Sequence, residues 1–188
     1  MIPKTDITGV VLAGGKSSRF GSNKALSEYG GKTFLQCAIS RLQPYVGELV
    51  VSGFYKEYEN LNIPILKDDI ADIGALGGIY TALKHCHTPW ILVLTCDMPM
   101  ISNGLIERML VNAQDKKVIA WKHDKSVGVF PILISKDMLA DVGDMIDNER
   151  YRVKQLFDRA DAELINVPEE WKDCFANINR KEDVNVLM

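Results

Sequence analysis

The run Ile7 to Ala13 most narrows what this chain can fold into. It reads as a continuous apolar stretch rich in β-branched residues and stops at Gly14-Gly15. A strand with one wet face alternates apolar and polar residues, whereas a strand covered on both faces does not. A parallel sheet with helices packed on each side is therefore expected, with this run near its centre.

The pattern then repeats. Phe34, Leu35, Ala38, Ile39 and Leu42 fall at helical spacing, with Pro44 as the stop. Glu48 to Phe54 reads as a second strand and Ile63 to Leu66 as a short third. Leu76, Ile79, Tyr80 and Leu83 mark one face of a helix. Trp90 to Thr95 is a fourth strand, ending at Cys96-Asp97, and Leu105, Ile106, Met109 and Leu110 form the next helix, capped by Ser102 or Asn103. Lys117 to Trp121 and Val127 to Ile134 read as strands flanking a polar turn at 123–125, which introduces one antiparallel pair. Residues 149–157 look helical, 163–167 extended, and 180–187 form a short closing helix. Alternating βα units imply an α/β fold, with a mostly parallel central sheet, one antiparallel strand and helices on both faces. With 188 residues, no repeat and no linker, the expectation is a single domain spanning 1–188.

Composition excludes several classes. A net charge of −3 and the lack of a long Lys/Arg run argue against a general nucleic-acid binder. The N-terminus lacks the apolar stretch of a signal peptide, and no run is long enough to span a bilayer. Cys37, Cys86, Cys96 and Cys174 form no C-x-x-C pair, so reduced thiols in a cytoplasmic protein are expected. His85-Cys86-His87 has no third ligand nearby and reads as structural or surface; His123 reads as solvated in its turn; Trp90 and Trp121 read as core, and Trp171 as surface or packing.

Ligands of such sheets bind outside the strand carboxyl ends. Gly14 to Lys24 and Asp97-Met98-Pro99 both fall there. The first segment combines glycines, whose backbone can approach a ligand closely, with Lys16, Arg19 and Lys24, a cation density suited to a polyphosphate. It is neither of two familiar nucleotide loops. Gly15-Lys16-Ser17 matches the end of G-x-x-x-x-G-K-[ST], but Val10 stands where the first glycine belongs; G-x-G-x-x-G fails at Lys16.

The ordered pattern L-A-G-G-K-S-S-R-F-G-x-x-K-A-L over residues 12–26 resembles the signature of the molybdenum cofactor guanylyltransferases, within the Rossmann-like nucleotidyltransferases. Further segments resemble the same family in the same order. These are Lys67-Asp68-Asp69 with Gly74-Ala75-Leu76-Gly77-Gly78, then Cys96-Asp97-Met98-Pro99, then Asn177-Ile178-Asn179 with Glu182 and Asp183.

The resemblance implies transfer of GMP from GTP to metal-loaded molybdopterin, with Mg2+ as cofactor and proteins that supply molybdopterin or mature molybdoenzymes as partners. Arg19, Lys24 and Asp97 are implied as catalytic, Asp97 also as the metal ligand. Leu12, Ala13, Gly14, Gly15, Lys24, Asp68, Gly77 and Asp97 are implied to hold the nucleotide, Gly15 standing where CTP-using relatives typically carry alanine. Arg152, Lys154 and Asn179 are implied on the acceptor side; Arg150, Arg152 and Lys154 are expected on one short helix, where a solvated helix face is the alternative reading. Gly74, Gly77 and Gly78 are expected to combine close packing with a backbone surface against base or ribose. A related enzyme using CTP or a sugar phosphate, or a non-catalytic nucleotide-binding adaptor, is the alternative. Three segments depart from the family pattern. Asn23 sits where the family usually has an acid before the lysine, Arg180-Lys181 replace a common Thr-Pro, and Val129-Phe130-Pro131 stands where relatives usually show a polar residue before proline.

Overall fold

The computed structural model describes residues 1–14, 23–53, 55–113, 116–123 and 126–178. Strand β1 (Ile7–Leu12) leads through a short hairpin, β2 (Glu28–Tyr29) and β3 (Lys32–Thr33), into helix α1 (Phe34–Leu42). Next come β4 (Glu48–Ser52), β5 (Ile65–Leu66), α2 (Ala75–His85), β6 (Trp90–Thr95) and α3 (Asn103–Asn112). The second half comprises β7 (Val118–His123), β8 (Ser126–Ser135), α4 (Leu139–Asp147), α5 (Val153–Arg159) and β9 (Glu163–Asn166), followed by a 3-10 segment over Glu169–Phe175.

Among the described residues the main sheet has seven strands in the order β5-β4-β1-β6-β8-β7-β9. All pairings are parallel except those of β8, which runs antiparallel between β6 and β7. The chain moves outward from β1 to β4 and β5, then crosses back to β6 on the other side of β1. The switch point of the topology therefore lies at the carboxyl ends of β1 and β6.

Side chains alternate across the sheet with period two. Ile7, Val11, Leu92 and Leu94 join the cluster that also holds α1 and α3 residues, including Phe34, Leu35, Leu42, Leu105 and Ile106. Val10, Ile91 and Val93 join the opposite cluster with Leu76, Ile79 and Leu83 of α2 and Val142 and Met145 of α4. Both faces are covered, which is why β1 and β6 are almost wholly apolar; Thr8 of β1 is buried with its hydroxyl 2.7 Å from that of Thr88.

Local chemistry sets the helix ends. Thr33 and Gln36 form a reciprocal capping box at α1: the Thr33 hydroxyl accepts from the Gln36 amide at 3.1 Å, and Gln36 Oε1 accepts from the Thr33 amide at 2.9 Å. Pro44 falls in a 3-10 turn directly after α1, as the sequence predicts. Ser102 does occupy the N-cap of α3, but its side chain makes no cap bond. Trp171 is a packing residue: a β-carbon on Gly104 of α3 would sit 2.8 Å from its ring. Trp121 is fully buried and Trp90 is packed against the core.

Several elements differ from expectation. Strand β4 ends at Ser52 because Gly53 turns to φ 114°, and β5 starts at Ile65 rather than Ile63. His123 belongs to β7 instead of a solvated turn, and stacks on Phe175 at 5.6 Å. The helix expected over 149–157 begins only at Val153, because Glu149, at φ 56°, breaks the chain away from α4. Helix α4 itself is an addition to the sequence reading, as is the β2–β3 hairpin, whose Gly30 and Gly31 both take positive φ. The closing helix expected over 180–187 lies outside the described residues.

Candidate active site

The site begins where β1 stops. The Ala13 amide donates to the Ser52 carbonyl at 2.9 Å, and the Cys96 amide donates to the Leu12 carbonyl at 3.1 Å. The ends of β4, β1 and β6 are thus bound side by side just as their chains turn out of the sheet. Gly14 and Gly53 make that junction tight. A β-carbon on Gly53 would fall 2.5 Å from the Gly14 nitrogen, and one on Gly14 would meet Gly53 Cα at 3.3 Å. Only glycine combines this approach with the positive φ at position 53.

Lys24 and Asp97, separated by 73 residues in sequence, meet here with Lys24 Nζ donating to Asp97 Oδ2 at 3.2 Å. The lysine side chain is 14% exposed and the aspartate 26%, so the pair is partly shielded yet reachable. Asn23 leaves Lys24 with no acid beside it in sequence, but Asp97 supplies one in space. Asn23 instead acts as a cap. Its side-chain oxygen accepts from the Ala25 amide at 3.2 Å, at the start of the 3-10 turn Lys24–Leu26 that carries the lysine. On the far side of Asp97, its carbonyl accepts from the Ile178 amide at 3.0 Å, which ties the C-terminal segment to the same point. Burial, and secondarily the charge of Asp97, pushes the neighbouring Cys96 thiol up to about 12, so it stays neutral.

Asp68 closes the third side. Its Oδ1 accepts from the Ser52 hydroxyl at 2.9 Å, and its Oδ2 lies 3.8 Å from the position a Gly14 β-carbon would take. Asp69 engages α2 instead. Its carboxylate receives Lys84 at 2.6 Å and His85 at 2.9 Å, and its amide donates to the Thr81 hydroxyl at 2.9 Å. These hydrogen bonds, Lys84's first, hold the Asp69 carboxyl below its ordinary pKa. His85 therefore serves as a clasp between α2 and the 67–74 loop. The two adjacent acids divide their work, Asp68 at the strand ends and Asp69 along α2.

Gly77 and Gly78 display the packing half of their expected role. A β-carbon on Gly77 would lie 2.9 Å from the Ile70 carbonyl oxygen; one on Gly78 would lie 2.6 Å from Ser52 Oγ and 2.8 Å from Leu12 Cδ2. Close seating of α2 thereby orders Ser52, and through it Asp68.

On the acceptor side the expected arrangement needs correction. Arg150 and Arg152 precede α5, Arg152 taking its N-cap in an extended conformation, and only Lys154 lies within the helix. All three are exposed. Leu156 and Phe157 anchor that helix in the same apolar cluster as Ile132 and Ile134 of β8. Of the other predicted residues, Leu12, Ala13, Gly14, Lys24, Asp68 and Asp97 converge on one locality, while Gly15, Arg19 and Asn179 lie outside the described residues. Sequence reading missed Ser52, Gly53 and Tyr58. Tyr58 is fully buried, and its hydroxyl lies 3.0 Å from the Ala13 carbonyl oxygen and 3.2 Å from Asn23 Oδ1. A Ser-Gly pair ending an apolar run was the available signal for the first two.

A switch-point site at the ends of β1 and β6, with Lys24 and Asp97 paired across it, lies where open α/β sheets bind their ligands. A family model described as the MobA-like NTP transferase domain matches residues 9–163, and the chain belongs to that family. It is 29% identical over 182 residues to a probable molybdenum cofactor guanylyltransferase of Flavobacterium johnsoniae, covering 96% of each chain. It is 32% identical over 192 residues to the molybdenum cofactor guanylyltransferase of Yersinia pestis, covering 96% of this chain and 94% of that one. A crystal structure of an Aquifex aeolicus protein matches with a TM-score of 0.81 at 28% identity, covering 96% of both chains.

Proposed function

We propose that this chain, acting as a single domain over residues 1–188, transfers GMP from GTP to metal-loaded molybdopterin and releases pyrophosphate. The observation that carries the reading is the Lys24–Asp97 pair, 3.2 Å apart beside the end of β1. Relatives bearing the guanylyltransferase name over nearly the whole chain support the choice of substrates.

In this reaction an oxygen of the acceptor's terminal phosphate attacks the α-phosphorus of GTP, and the bond from that phosphorus to the β-bridging oxygen breaks. The acceptor phosphate is already ionised near neutral pH, so no side chain has to remove a proton. What the protein must supply is alignment and positive charge. Backbone at Leu12, Ala13 and Gly14, with Asp68, would hold the nucleoside. Lys24, and Arg19 in the same role, would offset the charge that builds on the departing pyrophosphate. Arg152, Lys154 and Asn179 would receive the acceptor, and Gly15 favours guanine.

Magnesium suits the donor set, because it takes hard oxygen ligands, commonly one or two carboxylates together with substrate phosphates and water. Asp97, partly exposed at the end of β6, offers such a carboxylate. Bound there, the ion would polarise phosphate oxygens. A cytoplasmic setting and contacts with molybdopterin-supplying and molybdoenzyme-maturing proteins complete the proposal; no described helix is long and apolar enough to cross a membrane.

The test is product analysis with GTP, Mg2+ and metal-loaded molybdopterin, run beside ATP, CTP and UTP. Guanine dinucleotide and pyrophosphate in equal amounts are expected. Preference for another nucleotide, or binding without pyrophosphate release, would overturn the assignment.

A further inference from the structure

Tyr58 sits in the 3-10 turn Lys56–Asn60 after β4, with no exposed surface and its ring edge-on to Tyr55 at a centroid distance of 5.4 Å. Its hydroxyl has a single proton and two acceptors in reach, the Ala13 carbonyl oxygen at 3.0 Å and Asn23 Oδ1 at 3.2 Å. Those partners flank, in sequence, the segment assigned to the phosphates. Ala13 is the first residue past β1, immediately before the glycines; Asn23 caps the turn from which Lys24 reaches Asp97.

We infer that Tyr58 is a positioning residue for the nucleotide site, its buried hydroxyl fixing the end of β1 and the Lys24 turn relative to each other. This rests on the transferase reading for its consequence in turnover, but not for the structural link itself. Burial holds the phenol well above its ordinary pKa, so the group remains a donor at any working pH. A ring alone would fill the same space, and a hydrophobic anchor would be enough if packing were the only requirement. The hydroxyl adds a connection between two backbone segments that share no strand pairing. Asn23 depends on it. Its amide nitrogen is buried with no partner among the described residues, so the side chain is oriented through its oxygen, by Tyr58 and the Ala25 amide.

Tyr58→Phe keeps the ring and removes the link. Amide hydrogen exchange, followed by NMR without any substrate, should show the Ala25 amide exchanging about fivefold or more faster, in keeping with the loss of one buried hydrogen bond. Core amides such as Val10 and Leu92 should be unaffected. Asn23→Ala, which deletes the acceptor of the Ala25 amide, sets the ceiling for that effect. With GTP, Tyr58→Phe should lower kcat about fivefold or more while the KM for the acceptor stays within about twofold. In an Asn23→Ala background the same change should add almost nothing, since the two residues act as one unit.

Unchanged Ala25 exchange would overturn the inference. So would full additivity with Asn23→Ala, or a kcat loss that disappears on cooling and simply follows a lower unfolding temperature. If the wild-type protein turned over no GTP, the transferase reading would fall, and the exchange experiment would still decide the role of Tyr58.

Discussion

Gly53 lies with its backbone against that of Gly14, so closely that a β-carbon on Gly53 would be 2.5 Å from the Gly14 nitrogen and 2.6 Å from its Cα. Neither atom belongs to a flexible side chain, so the contact cannot relax cheaply. Gly53 also has φ 114°, which side-chain-bearing residues rarely adopt. Gly53→Ala should therefore destabilise the fold by about 2 kcal/mol or more, the combined cost of strain and displaced backbone. Denaturant unfolding measures this directly. A change under about 0.5 kcal/mol would mean that the strand ends are looser than described.

Asp97→Ala should leave the unfolding midpoint nearly unchanged, since the carboxylate is partly exposed and its chief described partner is one lysine. Turnover should nevertheless fall by about a hundredfold or more, a typical loss when charge stabilisation at a transferring phosphoryl group is removed. Lys24→Ala should both raise the KM for GTP and lower kcat. Near-normal product formation by Asp97→Ala at saturating magnesium would remove the residue from the chemistry.

Much of this architecture is legible in the sequence. Strand β6 runs from Trp90 to Thr95 as its apolar residues indicate, because burial on both faces leaves no alternation to misread. Leu12, Lys24, Asp68 and Asp97 come together because each sits at or beyond a strand's carboxyl end. The less legible parts depend on contacts between distant segments. Nothing in the neighbourhood of Asn23 indicates that Asp97 will pair with Lys24, or that Tyr58 will reach back to Ala13. Helix α4 escapes a sequence reading although Leu139, Val142, Met145 and Ile146 recur at helical spacing; its short span between a strand and a polar stretch hides the period. The cationic cluster at 150–154 reads as one helix because charge spacing carries no sign of the φ 56° turn at Glu149.

Ser52 provides a third test. Its hydroxyl donates to Asp68 at 2.9 Å, and its oxygen would lie 2.6 Å from a β-carbon on Gly78. The side chain is thus held by α2 while it orients the carboxylate assigned to the nucleotide. Ser52→Ala removes about one hydrogen bond's worth of orientation, on the order of 1 kcal/mol, and should weaken GTP binding about fivefold. Calorimetric titration gives the affinity. Ser52→Thr should also be impaired, because Gly78 leaves no room for another methyl group. Unaltered binding in both variants would detach Asp68 from the nucleotide.

Folding stability should depend on acid pH through Asp69. Hydrogen bonds from Lys84 and then His85 lower the Asp69 pKa from its usual 3.8 in the folded protein. With the folded value below the unfolded one, the unfolded chain binds more protons between the two, and folding stability must decline as pH falls through that interval. The contribution is complete above about pH 4 and is lost progressively below it. Asp69→Asn cannot take up that proton. Its unfolding free energy should lie below that of the wild type at neutral pH, and the two curves should converge as the pH drops beneath about 4. His85 contributes only as a partner of the same carboxylate, so His85→Ala should reduce the difference without removing it, Lys84 still being bound. Urea unfolding at a series of pH values from about 2.5 to about 7 would reveal this pattern. Parallel curves for wild type and Asp69→Asn across the acid range would show that the clasp between the 67–74 loop and α2 adds no stability.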